Sequence, residues 1–177
     1  TRLGHLLLDR AALESLSERL LGATPWLKDG PDGPLDRAPL RQAALSAMRR
    51  VAIGRGGRWM VGRLMRRKLP PGTVYLNVGH ANVRRGSVRA AQSVPGGQAW
   101  VMVHDTLPLD LPYFQGTAPQ KGFARMVRTS LRADAILANS NQTRDDLQRH
   151  CNGAPLPPIH VLHLGIKTPS IQPLARA

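Results

Sequence analysis

Apolar and polar residues alternate in blocks along the second half of the chain, where polar segments separate four short apolar runs. Each run is nearly continuous in apolar character, as is typical of strands buried on both faces, and we predict strands at residues 73–78, 99–104, 133–138 and 159–164. Between the last three runs, apolar residues recur at helical spacing over residues 120–132, and a further helix is predicted over 142–151. This alternation predicts the α/β class, with a parallel, Rossmann-like sheet flanked by helices.

The first seventy residues combine one strand pattern with several helical ones. We predict a short buried strand over residues 3–9 and an amphipathic helix over 10–22 that places four leucines on one face, Leu13, Leu16, Leu20 and Leu21. Residues 24–39 are rich in Pro, Gly and Asp, which predicts a surface loop. Residues 40–69 have helical spacing interrupted by Gly54, Gly56 and Gly57, which predicts two helices or one kinked helix, ended by Pro70, Pro71 and Gly72.

The chain has 177 residues, 42% of them hydrophobic and 20% charged, and this composition supports one packed domain better than two. We predict a single Rossmann-like domain over residues 1–167 and the start of an interdomain linker at 168–177. The longest apolar stretches fall far short of the ~20 residues that cross a bilayer. The single cysteine, Cys151, cannot form an internal disulfide, and a reducing, cytoplasmic setting is expected.

The net charge of +14 is concentrated in one part of the chain. Residues 37–104 include thirteen basic residues and no acidic one, whereas the segments on either side are close to neutral. Such a block repels itself unless its charges fan out into solvent or face an anionic partner. Nucleic acid, phospholipid headgroups and a phosphorylated substrate are the candidate partners.

Part of this basic block is typical of a helix that lies on an anionic membrane, because Met48, Trp59, Met60, Leu64 and Met65 are interleaved with basic residues. The residues predicted to face the membrane are Arg49, Arg50, Arg58, Arg63, Arg66, Arg67 and Lys68. A solvated, arginine-rich face packed on the sheet explains the same pattern equally well. Nucleic acid is a weaker candidate, since the block has few aromatic residues for base stacking.

Polar residues or glycines follow every predicted strand of the second half. In chain order they are Asn77, Gly79 and His80, then His104 and Asp105, then Asn139 and Ser140, and finally His163 and Gly165. Open α/β sheets bind ligands at the carboxyl ends of their strands, so we predict that these residues line one polar crevice. Gly79 would allow a ligand close to the backbone, and Ser140 is suited to cap the next helix, whose amino end favours anions.

Each of these residues also has a purely structural explanation. Asn139 and Ser140 can act only as a strand-to-helix cap, and His104 with Asp105 can form a structural pair or a turn. His163 can be a hydrogen-bonded histidine at a strand end. The hypothesis of a binding site therefore depends on the convergence of the strand ends.

Several well-known site motifs do not occur in the sequence. There is no G-x-G-x-x-G, no G-x-x-x-x-G-K-[ST] and no G-x-S-x-G, which argues against a dinucleotide fingerprint, a P-loop and a hydrolase nucleophile elbow. The histidines lack the H-x-x-x-H spacing of a helical zinc site. We therefore predict no metal site.

Four short motifs follow one another between residues 74 and 167. They are Tyr-Leu-Asn-Val-Gly-His at 75–80, Val-His-Asp-Thr-Leu-Pro-Leu-Asp at 103–110, Ala-Asp-Ala-Ile-Leu-Ala-Asn-Ser at 133–140 and Pro-Pro-Ile-His-Val-Leu-His-Leu-Gly-Ile at 157–166. Each is weak alone, but in this order they resemble the amino-terminal domain of bacterial glycosyltransferases of family 4. The first seventy residues match that domain only in general helical character.

The resemblance implies a GT-B architecture, in which two Rossmann-like domains face each other across a cleft and the amino-terminal domain holds the sugar acceptor. It also implies a nucleotide-diphosphate sugar as donor, retention at the anomeric carbon, no metal and no other cofactor. His104 falls where the family has a histidine near the donor sugar and the reacting centre, which makes it the predicted catalytic residue. The predicted substrate-binding residues are Asn77, Gly79, His80, Asp105, Asn139, Ser140, His163 and Gly165. The sequence departs from the family at Lys167, where relatives often have Asp.

On this resemblance, we expect the acceptor-side half of a hexosyltransferase that transfers a sugar to a glycan or a lipid-linked acceptor in polysaccharide biosynthesis. The carboxyl-terminal domain expected to bind the donor diphosphate is not part of the chain, so the chain alone should be inactive. The expected location is the cytoplasm, with the inner face of the plasma membrane as a peripheral binding surface. The alternative is a non-catalytic α/β domain that binds nucleic acid or a nucleotide.

Overall fold

The computed structural model describes residues 4–26, 37–79, 83–114 and 117–165, and for residues 37, 38, 58 and 117–119 it describes the backbone only. The chain divides into two compact units, Thr1–Thr73 with Arg89–Gly96 and Val74–Val88 with Gly97–Ala177. The linker predicted at 168–177 and most of the loop predicted at 24–39 lie outside the described residues. The assignment of residues 1–167 to one domain stays a prediction.

In the first unit, helix α1 (Arg10–Leu20) confirms the helix predicted over residues 10–22. Asp9 caps its start, since the Asp9 carboxylate accepts a hydrogen bond of 2.8 Å from the Ala12 N–H. Of the four leucines predicted to share one face, Leu16 is buried together with Ala12, whereas the other three are exposed: Leu13, Leu20 and Leu21. The helix buries a narrower stripe than its leucine spacing suggests.

Gly54 and Gly56 form a strand where the sequence predicts only an interruption between helices. Strand β2 (Gly54–Gly56) pairs antiparallel with β1 (His5–Leu7), so the strand predicted over residues 3–9 is confirmed, but it is partly exposed and not buried. A Cβ at position 54 would lie 2.7 Å from Leu64 Cδ1, so any larger residue there would require the end of this leucine side chain to shift. The same residue, Leu64, also packs over Gly56.

Two helices flank this strand, as predicted for residues 40–69. Helix α2 (Arg37–Val51) precedes β2, and a short 3-10 helix (Arg58–Met60) leads into helix α3 (Val61–Lys68). The predicted stop at Pro70, Pro71 and Gly72 is confirmed, since α3 ends at Lys68 and Gly72 has a φ of +76° in the turn that follows.

The second unit contains a four-stranded parallel sheet, which confirms the α/β, Rossmann-like prediction. Its strands are β3 (Val74–Asn77), β4 (Gln98–Val103), β5 (Ala135–Ala138) and β6 (Ile159–Val161), and they lie side by side in chain order. The ladders pair Asn77 with Val101, Val103 with Ala138, and Ala138 with Val161. This register brings the carboxyl ends of all four strands to one edge of the sheet.

One face of the sheet is covered by helices α6 (Thr117–Ser130) and α7 (Asn141–Cys151), which confirm the helices predicted at 120–132 and 142–151. The core cluster joins β4 and β5 to these helices through Val101, Val103, Ile136, Met126, Val127 and Leu147. Leu147 and Ile136 are fully buried. The carboxyl ends of β4 and β5 therefore rest on a packed scaffold.

Burial on both faces is confirmed for the two central strands and is wrong for the outer two. Every residue of β5 is buried, as are most of β4, whereas Val74 and Leu76 of β3 are each 48% exposed. In β6, His160 is exposed and stacks on Trp100, with ring centroids 5.9 Å apart. The difference arises because β3 and β6 lie at the two edges of the described sheet.

Two described helices have no counterpart in the sequence prediction: α4 (Arg85–Gln92) and the single turn α5 (Leu107–Asp110). Helix α5 begins shortly after the end of β4, and the predicted site residues His104 and Asp105 lie between the two elements. Among the described residues, no helix combines the length and the apolar character needed to cross a bilayer.

Candidate functional site

His104 follows β4 directly, and its ring reaches the end of β3. Its Nε2 atom lies 2.7 Å from the main-chain oxygen of Val78. Because a carbonyl oxygen can only accept, Nε2 carries the proton, and in the neutral imidazole Nδ1 then has the lone pair. The hydrogen bond therefore sets the tautomer of the predicted catalytic residue.

Thr143, in the first turn of α7, joins the end of β4 to the end of β5. Its hydroxyl oxygen lies 3.0 Å from the main-chain oxygen of His104 and 2.9 Å from Asn139 Oδ1. The residue is buried, with 5% of its surface exposed. The sequence prediction missed Thr143, although its position three residues after the predicted cap Ser140 places it on the inner side of the first turn.

Ser140 caps helix α7, as its sequence position predicts. Its Oγ accepts a hydrogen bond of 3.1 Å from the Thr143 N–H, and its own backbone is extended. The structural explanation for Ser140 is thus correct, and the cap also holds Thr143 in place. The amino end of α7, with the positive end of the helix dipole, therefore lies at the carboxyl end of β5.

His163 brings the fourth strand end to the same cluster. Its Nδ1 lies 3.2 Å from the main-chain oxygen of Asn139, so Nδ1 is the donor. The hydrogen bonds therefore run without a break from Val78 through His104, Thr143 and Asn139 to His163. The structure brings the ends of β3, β4, β5 and β6 together, as the convergence hypothesis requires.

Asn77 and Gly79 lie at the end of β3. The Asn77 side chain accepts a hydrogen bond of 3.2 Å from the Gly79 N–H and donates one of 3.0 Å to the Tyr75 hydroxyl. A Cβ at Gly79 would meet no atom within 4 Å, so the described contacts do not demand glycine there. His80 lies outside the described residues. Gly165, the last described residue, is exposed.

Asp105 forms a turn, which is the structural role considered from the sequence. Its Oδ1 accepts a hydrogen bond of 3.1 Å from the Leu107 N–H, and α5 begins at that residue. The turn thus connects His104 to the start of α5.

A second polar cluster, which the sequence prediction missed, fastens α5 to α7. Asp110 accepts hydrogen bonds from the Thr106 hydroxyl at 2.6 Å, from His150 Nε2 at 2.7 Å and from Arg149 Nη2 at 2.8 Å. Burial raises the pKa of Asp110, but these three hydrogen bonds outweigh it and lower the pKa to about 2. The segment that contains His104 is thus held on α7 at both of its ends.

The basic residues predicted to face a membrane are exposed wherever their side chains are described. Arg49 and Arg50 lie in the last turn of α2, and α3 carries the rest: Arg63, Arg66, Arg67 and Lys68. For Arg58 only the backbone, in the 3-10 helix, is described. The apolar residues interleaved with them differ in exposure. Met65 is buried and Leu64 packs on β2, whereas Trp59 is 92% exposed.

The chemistry available at the strand ends is mainly that of hydrogen bonding. Imidazole, amide and hydroxyl groups can donate to and accept from sugar hydroxyls, and few charges lie among them. In the part of the chain that the structure describes, no group of three or more His, Cys, Asp or Glu side chains is placed to hold a metal ion. The predicted independence from metals stays a prediction.

A scan against protein-family models gives no match, and searches of the curated proteins and of the solved structures give none either. The resemblance to family 4 glycosyltransferases therefore rests on the four sequence motifs alone.

Proposed function

We propose that the chain is the acceptor-side half of a retaining glycosyltransferase. The enzyme transfers a sugar from a nucleotide-diphosphate sugar to a glycan or a lipid-linked acceptor. The observation that carries the proposal is the run of hydrogen bonds that joins His104, Thr143, Asn139 and His163 at one edge of the parallel sheet. Three of the four motifs that resemble family 4 supply His104, Asn139 and His163, whereas Thr143 lies outside the motifs.

The charges of the site indicate which substrate this chain would bind. Glycosyl transfer needs positive groups for the leaving diphosphate and groups that stabilise the oxocarbenium-like centre. The strand-end residues of this chain instead suit the orientation of hydroxyl groups, since they are amides, hydroxyls and imidazoles. The proposal therefore assigns orientation of the acceptor to this chain and binding of the diphosphate to a second domain.

The test uses the natural protein at full length, incubated with a panel of nucleotide sugars and with glycan or lipid-linked acceptors. We expect transfer of a sugar and, by NMR of the product, retention of the anomeric configuration. The 177-residue chain alone should give no transfer. If the full-length protein neither transfers a sugar nor hydrolyses any donor, the proposal is wrong.

We also propose that helix α3 rests on an anionic membrane surface. The support is its exposed set of basic side chains, together with Trp59, which is 92% exposed just before the helix. Sedimentation of the chain with vesicles of phosphatidylglycerol, but not of phosphatidylcholine, is the expected result. Equal binding to both kinds of vesicle, or to neither, would contradict it.

A non-catalytic nucleotide-binding or nucleic-acid-binding domain is the second candidate function. The observation in its favour is the acid-free block at residues 37–104, which carries thirteen basic residues. This function predicts that the chain alone binds nucleotides, or is retained on DNA in a salt-sensitive manner. The glycosyltransferase proposal predicts weak binding of both, because the donor-binding groups lie elsewhere.

A further inference from the structure

A cavity of about 330 Å³ opens in the first unit, beside the β1–β2 pair. Its lining includes two arginines, Arg49 and Arg55, three glycines, Gly4, Gly56 and Gly57, and the thioether side chain of Met60. The volume lies at the lower end of the range of ~300–1,000 Å³ that is usual for small-molecule sites. All of these residues belong to one compact unit, so its fold alone shapes the cavity.

A hydrogen bond holds the two arginines together. Arg55, on β2, donates from Nη2 to the main-chain oxygen of Arg49, at 2.6 Å, and so caps the carboxyl end of α2. A cation at this end of a helix is favourable because the last carbonyl groups carry partial negative charge. The capping bond brings the Arg55 guanidinium to the helix turn that carries the Arg49 side chain.

No protein carboxylate neutralises this pair in the part of the chain that the structure describes. Among the described residues, neither arginine has a carboxylate oxygen within 4.0 Å, and residues 37–104 contain no acidic residue at all. Two guanidinium groups at one cavity repel each other unless an anion lies between them. Guanidinium groups match the oxygen atoms of phosphate, to which each can donate two parallel hydrogen bonds.

The glycines and the apolar residues decide what else fits. Gly4 has a φ of +144°, and a Cβ there would overlap the Gly56 carbonyl oxygen, so side chains are excluded where the two strands meet. A Cβ at Gly57 would meet no atom within 4 Å, which shows open space beside it. Met60 adds an apolar surface for an organic group. The cavity therefore suits a phosphate that carries an organic substituent.

We infer that this cavity binds the phosphate group of a phosphate monoester. Arg49 and Arg55 contact the phosphate oxygens, and Met60 contacts the esterified group. The monoester is either a soluble metabolite or the headgroup of a lipid such as phosphatidic acid, since both present the same dianionic group. This site differs from the basic face of α3 in needing two particular arginines and not a general positive charge.

The experiment titrates the chain with glycerol 3-phosphate at constant ionic strength and follows binding by calorimetry and amide NMR shifts. The key variant is Arg49→Gln, because the main-chain oxygen that Arg55 caps remains in place. The matched control is Arg41→Gln, which removes the same charge from an exposed position of the same helix, α2, outside the cavity. We expect Arg49→Gln to weaken binding about tenfold or more and Arg41→Gln to change it less than about twofold.

Vesicles distinguish the two sources of the phosphate. Binding to glycerol 3-phosphate that depends on Arg49 identifies a soluble monoester as a ligand. If binding depends on Arg49 with vesicles of phosphatidic acid, but not with vesicles of phosphatidylglycerol or with glycerol 3-phosphate, the ligand is a lipid headgroup. If neither ligand binds, or if Arg41→Gln weakens binding as much as Arg49→Gln in both cases, the inference is wrong. Thermal unfolding of both variants checks that they fold as the wild type does.

Discussion

The hydroxyl oxygen of Thr143 lies 3.0 Å from the main-chain oxygen of His104, and this contact joins the first turn of α7 to the end of β4. The two residues are 39 positions apart in the sequence. The same hydroxyl also lies 2.9 Å from Asn139 Oδ1, so its one proton can donate to either of these two oxygens. The position of His104 thus depends on a side chain that belongs to neither β4 nor its following loop.

Removing this hydroxyl should destabilise the fold and loosen His104. Thr143→Val keeps the shape of the side chain and its helix preference, but leaves two part-buried acceptors, the His104 main-chain oxygen and Asn139 Oδ1, without this donor, at a cost of about 1–2 kcal/mol. Thr143→Ser keeps the hydroxyl and should cost about 1 kcal/mol or less, for the lost methyl group. Urea unfolding of the two variants measures the difference. A valine variant as stable as the serine variant would show that the hydroxyl contributes nothing.

Substitutions at His104 can separate its structural role from its chemical one. His104→Gln retains a donor for the Val78 main-chain oxygen, whereas His104→Ala retains none. In the full-length protein we expect both variants to lose about 10²-fold or more in kcat, as is usual when a positioned imidazole is removed from the reacting centre. We expect the glutamine variant to unfold at nearly the wild-type temperature. Turnover within a few-fold of the wild type in His104→Gln would remove His104 from the site.

The Asp110 carboxylate should make the stability of the chain fall in acid. Its pKa in the folded state is about 2, below the ordinary value of 3.8, so the unfolded state binds more protons between these values. The stabilisation is therefore complete above pH 3.8 and is lost as the pH falls through 2. It amounts to on the order of 1 kcal/mol, because solvent partly screens the carboxylate.

Unfolding free energies of the wild type and of Asp110→Asn, measured from about pH 6 to about pH 2, test this dependence. The difference between the two proteins should shrink toward the acid end. Arg149→Gln removes one of the hydrogen bonds that lower the pKa of Asp110, so its acid-dependent loss of stability should be smaller and should be complete at a higher pH than in the wild type. Parallel curves for the wild type and Asp110→Asn would contradict the prediction.

Gly4 and Gly57 offer a matched pair of substitutions in the first unit. Gly4→Ala places a methyl group against the Gly56 carbonyl oxygen at a φ of +144°, and should cost about 1–3 kcal/mol. Gly57→Ala meets no atom within 4 Å and should leave the stability unchanged or raise it by about 0.4–1 kcal/mol. Chemical unfolding of both variants gives the comparison. Equal stability would show that the close approach of Gly4 to β2 is relaxed in solution.

Much of the second unit could be predicted from local patterns. The apolar runs at residues 99–104 and 133–138 correspond to β4 and β5. Such continuous runs are typical of strands that are covered on both faces. The helices at 120–132 and 142–151 were found because apolar spacing, or a serine cap, marks them. The positions of the outer strands, β3 and β6, were predicted correctly, but their burial was not. A sequence does not show which strand lies at an edge of the sheet.

The first unit was harder to predict, because its glycines are compatible with either a break between helices or a strand. Gly54 and Gly56 interrupt a helical pattern, and nothing in the local sequence says that they pair with residues 5–7. In the structure Leu64, from a separate helix, packs over both glycines. Likewise, the buried stripe of α1 follows from its contact with α2 and not from the spacing of its leucines.

The sequence by itself determined which residues end the strands, because the apolar-to-polar change at each strand end is local. A parallel sheet then places those ends at one edge, so His104, Asn139, Ser140 and His163 could be named before their contacts were known. Only the tertiary structure decided what holds them, through Thr143 and Asp110, whose partners lie 39 and 40 residues away. Hydrogen bonds between distant residues leave no periodic pattern in a sequence, since they depend on how the helices pack on the sheet.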